Sequence, residues 1–191
     1  FAIEDNYDIP SELLNRIQYT GYLTCKNSMS KEEARKCLNI DEGKKIIVAS
    51  MGGGQGAIEI WDNILNGLKE NSDNYDEAYL ITGPYLEEDD YKKMKSLEEE
   101  DESIKIIKYV NNMQTWMIAC DLFIGAAGSN MIGEVLATGC NSILIPRQVR
   151  EIEQHLHSKI LSEKGIVRMC ELGDVLDGEL YIPGVDLNEI N

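Results

Sequence analysis

The run SMGGGQGA at residues 50–57 constrains the fold of this chain more than any other stretch. The residues before it, 45–49, are rich in β-branched apolar side chains, which is typical of a buried strand. Ile60, Ile64 and Leu68 follow at helical spacing, so the glycines lie on a turn between a strand and a helix. In a parallel α/β unit this turn lies at the carboxyl edge of the sheet, where ligands bind.

Such a turn is suited to holding an anion. Glycines adopt positive φ angles and let the backbone approach a ligand closely. The free N–H groups and the dipole of the following helix favour negative charge. The run has neither the Gly-Lys-Ser/Thr of a P-loop nor the spacing of a dinucleotide-binding fingerprint. A tight turn without a ligand explains the glycine cluster, taken alone, equally well.

The rest of the chain alternates strand and helix patterns. Strands are predicted at 45–50, 77–84 (ending in the Gly83-Pro84 breaker), 104–110, 121–125, 141–146 and 166–170. Helices are predicted at 30–38, 56–69, 87–100, 111–117 (capped by Asn111), 130–138 and 152–163. This alternation predicts an α/β fold, a Rossmann-like doubly wound parallel sheet of about six strands, in the order 3-2-1-4-5-6.

A second turn of small residues, GAAGSN at 125–130, follows the fourth predicted strand. In the predicted strand order it lies beside the glycine run, at the crevice where such folds bind nucleotides. Ser129 and Asn130 are suited either to bonding a phosphate or to capping the helix that begins there. Glu134, five residues after Ser129, is suited to accepting bonds from ribose hydroxyls, although a solvated helix glutamate is the commoner case.

Charge and cysteine content exclude several classes of function. With 18 basic and 34 acidic residues, the net charge of −16 argues against nucleic acid or anionic lipid as a partner of the bulk surface. The five cysteines are odd in number and widely spaced, with no C-x-x-C pair, which predicts reduced thiols in the cytoplasm and no zinc site. The acidic triplet at 88–90 falls in a charged helix, so we predict no metal site there.

The first 24 residues differ in character from the rest. Residues 11–17 are predicted to form one or two helical turns and residues 18–23 a short strand. We interpret residues 1–24 as a linker that arrives from an N-terminal domain, and residues 25–191 as one ligand-binding domain.

Six motifs, taken in order, resemble the C-terminal domain of glycosyltransferase family 28, the MurG-like enzymes with the GT-B fold. The resemblance extends over residues 17–170. The motifs are YTGY (19–22), GGGQGA (52–57), VNNM (110–113), ACDLFI (119–124), GSNMIGEVLATG (128–139) and ILIPR (143–147).

The resemblance implies the C-terminal half of a GT-B enzyme, which binds a nucleotide-sugar donor, most often a UDP-sugar. The implied function is an inverting transfer of a hexose or N-acetylhexosamine to an acceptor hydroxyl, without cofactor or metal. The catalytic residues are expected in the N-terminal acceptor-binding domain, in the same chain or in a partner subunit. The implied location is the cytoplasm, at the inner membrane face for the full-length enzyme.

The resemblance also implies roles for particular residues. The turn after the first strand is expected to line the donor cleft with Gly53, Gly54, Gln55 and Gly56. The turn after the fourth strand is expected to hold the diphosphate with Gly128, Ser129 and Asn130. Val110 and Met113 are expected to flank the base, and Glu134 is expected to hold the ribose hydroxyls. Gln154 is expected to contact the sugar or phosphate.

Some positions depart from the family pattern. Many members carry Arg where Ala126 stands, and His or Asp where Ile152 and Glu153 stand. The phosphate charge is then left to the helix dipole, to Arg147 or to the other half of the enzyme. The sugar preference is accordingly open.

Other functions remain open on the sequence alone. We interpret His155 and His157 as polar helix residues and not as a general base. Tyr85, after Gly83-Pro84, is suited to bordering the cleft, although no pattern requires it. A nucleotide-sugar hydrolase or epimerase on the same fold would need a catalytic His or Asp near the anomeric carbon. A non-catalytic module that binds a nucleotide or a partner is the other alternative.

Overall fold

A single parallel sheet organises the chain. The computed structural model describes residues 3–25, 27–54, 57–147, 152–178 and 180. Within these residues, six parallel strands lie in the order β3-β2-β1-β4-β5-β6, which confirms the predicted topology. Their bounds are β1 Ile46–Ser50, β2 Glu77–Ile81, β3 Ile104–Ile107, β4 Leu122–Ala126, β5 Ser142–Ile145 and β6 Arg168–Met169.

Helices connect the strands and cover both faces of the sheet. Their bounds are α1 Ser11–Leu14, α2 Lys31–Leu38, α3 Ile58–Glu70, α4 Glu88–Glu100, α5 Met113–Ala119, α6 Ser129–Thr138, α7 Glu153–Glu163 and α8 Leu172–Leu176. No helix in the described part of the chain is long and apolar enough to cross a membrane. The alternation of strands and helices is the predicted Rossmann-like α/β fold.

The core has one apolar cluster on each face of the sheet. In β1, Ile47 and Ala49 belong to one cluster, whereas Ile46 and Val48 belong to the other. This alternation follows from the two-residue period of a strand, and burial on both faces explains why β1 is apolar throughout. Trp61 of α3 is fully buried in the first cluster.

A buried carboxylate joins α2 to the start of the sheet. Asp121 Oδ2 accepts hydrogen bonds from the backbone N–H of Ile46 at 2.6 Å and from Arg35 Nη2 at 2.9 Å. Lys31 Nζ donates to Asp121 Oδ1 at 2.5 Å. Arg35 is itself buried, and its Nε donates to the carbonyl of Ala119 at 2.9 Å. Burial makes the charges of Asp121 and Arg35 dependent on their partners, whereas Lys31 is exposed.

Two local predictions are wrong. Residues 18–23 form no strand; Tyr22 instead packs edge-on against His157, with 5.7 Å between the ring centroids. The cap of α5 is Asn112 and not Asn111: its side chain accepts a hydrogen bond from the N–H of Thr115. Asn111 and Asn112 are equally suited by residue type to cap a helix, so the sequence did not distinguish them. The pattern at 18–23 suits an extended segment, but no strand of the described sheet pairs with it.

Candidate functional site

The loops after β1 and β4 lie side by side at the carboxyl edge of the sheet. β1 and β4 are parallel neighbours, and Ser50 pairs with Gly125 in their register. A Cβ atom on Gly125 would lie 2.7 Å from Phe123 Cζ and 3.3 Å from the Ser50 carbonyl oxygen. The absence of a side chain at Gly125 therefore allows the two strand ends to pack closely. This confirms the predicted juxtaposition of the two small-residue turns.

The glycine run after β1 packs against the loop after β2, backbone against backbone. The backbone N–H of Tyr85 donates to the carbonyl of Gly53 at 2.9 Å. Gly54 has a φ of +89°, and a Cβ there would collide with the carbonyl oxygen of Thr82. The glycines are thus required by loop packing, whether or not a ligand also approaches them.

Two predicted residues of this turn, Gln55 and Gly56, lie outside the residues that the structure describes. Gly53 lies under the ring of Tyr85: a Cβ on Gly53 would lie 3.1 Å from Tyr85 Cδ2. The Tyr85 side chain is nevertheless 71% exposed. Tyr85 thus lies beside the glycine turn, and its place at the border of a donor cleft stays a prediction.

The N-terminus of α6 is open to solvent. Its N-cap is Gly128, with φ −68° and ψ 150°, and the described residues supply no side-chain cap. Ser129 and Asn130 are the first two helical residues, and both are exposed. Neither side chain caps the helix, because the N-cap position is occupied by Gly128. The first N–H groups of an α-helix have no partner within the helix and carry the positive end of its dipole. This end of α6 is therefore suited to an anion.

Glu134 lies on the same helix and is half-buried. Burial raises the pKa of its carboxyl above the ordinary value of 4.5. Within the described ranges, no residue donates a hydrogen bond to this carboxylate or forms an ion pair with it. The neighbouring Gly133 faces residues 23–24, since a Cβ there would lie 3.7 Å from the Leu23 carbonyl oxygen. A desolvated acceptor of this kind is suited to binding hydroxyl donors.

Val110 and Met113 follow β3 at the same edge of the sheet. β3 is two strand positions from β1, which is about 10 Å at the usual strand spacing. Both residues are half-buried and pack against the second apolar cluster. Their side chains therefore anchor the loop after β3, and contact with a nucleotide base stays a prediction.

The side chain of Gln154 is held by the chain itself. Its Oε1 accepts a hydrogen bond from the backbone N–H of Arg147 at 2.9 Å. Ser158 Oγ donates to the Gln154 carbonyl at 2.8 Å. Gln154 thus ties the start of α7 to the residues just after β5, and its contact with a sugar or phosphate stays a prediction.

Glu153, the first residue of α7, is a site residue that no motif in the sequence indicated. Its Oε1 accepts a hydrogen bond from Ser129 Oγ at 2.7 Å, so the beginnings of α6 and α7 meet. The two residues are 24 positions apart, and neither lies in a pattern that predicts the contact. The available signal was the predicted strand order, because α6 and α7 follow the neighbouring strands β4 and β5.

The histidines of α7 make contacts that suit structural roles. His155 Nδ1 lies 3.5 Å from Glu171 Oε2. His157 packs against Tyr22, and burial lowers the pKa of its imidazole below 6.5. Among the residues that the structure describes, no group of three or more His, Cys, Asp or Glu side chains could hold a metal ion.

The fold places the chain in the class of Rossmann-like α/β domains, whose ligands bind at the topological switch point of the sheet. A family model described as the glycosyltransferase family 28 C-terminal domain matches residues 47–180. The chain belongs to this family, which confirms the resemblance of its motifs.

Two curated relatives come from Thermoanaerobacter sp. and Alkaliphilus metalliredigens. Both are named UDP-N-acetylglucosamine--N-acetylmuramyl-(pentapeptide) pyrophosphoryl-undecaprenol N-acetylglucosamine transferase. They are 34% identical over 155 residues and 32% identical over 156 residues. The matches cover 80% and 81% of this chain, and the chain spans 42% of each relative.

Solved structures agree on the fold. MurG from Acinetobacter baumannii aligns with a TM-score of 0.58 at 17% identity, covering 76% of this chain and 40% of that protein. The glycosyltransferase SnogD from Streptomyces nogalater aligns with a TM-score of 0.52 at 17% identity, covering 85% of this chain and 41% of that protein. Both likenesses show one half of a GT-B architecture.

Proposed function

We propose that this chain is the donor-binding part of an inverting glycosyltransferase that uses UDP-N-acetylglucosamine. The observation that carries the proposal is the pairing of Ser50 with Gly125, which brings the loops after β1 and β4 to one rim of the sheet. Ligands of doubly wound folds bind at this rim. The choice of donor rests on the names of the curated relatives.

The open N-terminus of α6 would receive the donor diphosphate. Backbone N–H groups after Gly128 and the helix dipole favour negative charge there without a metal ion. The same groups would stabilise the nucleoside diphosphate as it leaves, because negative charge grows on its oxygens when the glycosidic bond breaks. The acceptor hydroxyl would attack the anomeric carbon from the opposite side.

The Glu134 carboxylate would accept hydrogen bonds from the two ribose hydroxyls. It is half-buried, and the described residues give it no hydrogen-bond donor of their own. Hydrogen bonds to a charged group contribute about 1.5–3 kcal/mol each. Glu134 would therefore contribute strongly to nucleotide affinity.

The acceptor and the catalytic base would come from an N-terminal domain or from a partner subunit. This inference is supported by the curated relatives, of which the chain spans 42%. The names of those relatives describe an acceptor carried on pyrophosphoryl-undecaprenol, a lipid. We therefore include a lipid-linked acceptor at the membrane face in the proposal.

Calorimetric titration tests the donor site directly. UDP, UDP-N-acetylglucosamine, GDP and dTDP are titrated into the chain, each with and without Mg²⁺. We expect the uridine ligands to bind most tightly, and Mg²⁺ to change their affinity little. Glu134→Ala should weaken UDP binding by about tenfold or more, which corresponds to about 1.4 kcal/mol.

Glu99→Ala is the matched control, because it removes an exposed glutamate from α4, a different helix. The proposal fails if no nucleotide binds, or if Glu134→Ala and Glu99→Ala bind UDP equally well. Release of free N-acetylglucosamine without any acceptor would instead indicate a nucleotide-sugar hydrolase.

A further inference from the structure

A carboxylate lies at the helix end where the donor diphosphate is proposed to bind. Ser129 is the first residue of α6, and its Oγ donates to Glu153 Oε1 at 2.7 Å. The hydroxyl that would contact a phosphate is therefore bonded to a side chain of the protein. Glu153 in turn begins α7, so its own position is set by the packing of that helix.

This arrangement places like charges close together when a diphosphate binds. The Glu153 side chain is 34% exposed, so it can rotate away from Ser129 and release the hydroxyl. Its backbone stays at the start of α7, however, and the negative charge remains near the α6 N-terminus. Two like charges a few ångströms apart at a partly exposed site repel each other, and the repulsion weakens the binding of the anion.

The neighbouring imidazole does not offset this charge at neutral pH. His157 Nδ1 lies 4.0 Å from Glu153 Oε1, one helical turn further along α7. Burial is the largest influence on His157, and it lowers the pKa of the ring below its ordinary value of 6.5. Packing against Tyr22 contributes to that burial.

We propose that Glu153 is a specificity-determining residue of the donor site, whose carboxylate disfavours free nucleoside diphosphate more than the nucleotide sugar. The inference rests on the proposed function. A terminal phosphate has a second ionisation with a pKa of about 6, so UDP carries one more negative charge at neutral pH than UDP-N-acetylglucosamine. Esterification by the sugar removes that charge. Glu153 would thus favour release of the product UDP over loss of the substrate.

Glu153→Gln tests the proposal, since it removes the charge and keeps the size of the side chain and its ability to accept from Ser129. We expect the dissociation constant of UDP to fall by about 3- to 30-fold and that of UDP-N-acetylglucosamine by about 2- to 10-fold. The ratio of the two affinities should therefore shift toward UDP. Both ligands are titrated at pH 7.5 and at low ionic strength, where the charge effect is largest.

Glu163→Gln is the matched control, because it removes the same charge from an exposed position at the other end of α7. Ten residues of helix separate the two positions by about 15 Å, more than the screening length in ordinary buffer. The inference is overturned if Glu153→Gln leaves the ratio unchanged, weakens UDP binding, or matches the control. If the unmodified chain binds neither ligand, the proposed function itself fails.

Discussion

Gly83, in the loop after β2, packs closely against the glycine turn of the site. Replacing it with alanine should lower both the stability of the chain and its affinity for UDP. The φ of Gly83 is +90°, a region that residues with a Cβ rarely adopt. A Cβ on Gly83 would lie 2.5 Å from the carbonyl carbon of Gly53 and 2.6 Å from its oxygen. These are backbone atoms, so no side-chain rotation can relieve the overlap.

Two costs add in the Gly83→Ala variant. A non-glycine residue in a sparsely populated backbone region costs about 1–3 kcal/mol. Moving the Gly53 backbone to admit a methyl group costs about 1–3 kcal/mol more. The sum is roughly 2–6 kcal/mol, and in a domain of this size each kcal/mol lowers the melting temperature by about 2–4 °C. We expect a melting temperature lower by about 10 °C and a weaker affinity for UDP.

Thermal and urea unfolding followed by circular dichroism measure the loss of stability, and UDP titration below the transition measures the effect on the site. Gly43→Ala is the control, because Gly43 is exposed, has no positive φ, and a Cβ there would meet no atom within 4 Å. Its free energy of unfolding should change by no more than about 0.5 kcal/mol. A free energy of unfolding for Gly83→Ala within about 1 kcal/mol of that of the unmodified chain would contradict this prediction.

Three further predictions concern stability and pH. Asp121→Ala leaves the buried Arg35 without its carboxylate and should lower the free energy of unfolding by about 3–5 kcal/mol in urea, while the exposed Asp73→Ala changes it little. Ser30→Ala removes half of the capping box of α2 and should cost about 1 kcal/mol by the same assay. Burial raises the pKa of Glu134 in the folded state, so the folded chain binds that proton more tightly than the unfolded chain. The contribution of Glu134 to stability is therefore present at low pH and lost as the pH rises through its folded pKa, and a Glu134→Gln variant with the same pH profile as the unmodified chain would contradict this.

Local patterns were sufficient to predict the fold. The apolar run at 45–49 predicted a buried strand, and the spacing of Ile60, Ile64 and Leu68 predicted the helix that follows. The Ser30-to-Glu33 capping box was correct, with both reciprocal hydrogen bonds present. Strand order then followed from the right-handedness of parallel crossovers, which leaves few topologies open. Hence the sequence also predicted that the two small-residue turns would meet.

For the candidate site, the sequence predicted the positions of backbone turns but not the hydrogen-bond partners of side chains. Positions that depend on where strands end, such as Gly54 and Gly128, could be placed from the sequence. The partner of a side chain could not: nothing local indicated that Gln154 would bond Arg147, or that Glu153 would bond Ser129. These contacts depend on how the helix ends lie relative to one another, and the apolar periodicity of a sequence does not predict those relative positions.

Residue period and backbone sterics decide which segments become strands and helices and at which edge of the sheet the glycines collect, so these features can be predicted from the sequence. The contacts of Gly83 with Gly53, of Tyr22 with His157 and of Glu153 with Ser129 are visible in the tertiary structure alone. Each of these contacts joins residues far apart in the chain, and its geometry is decided by close packing of whole elements.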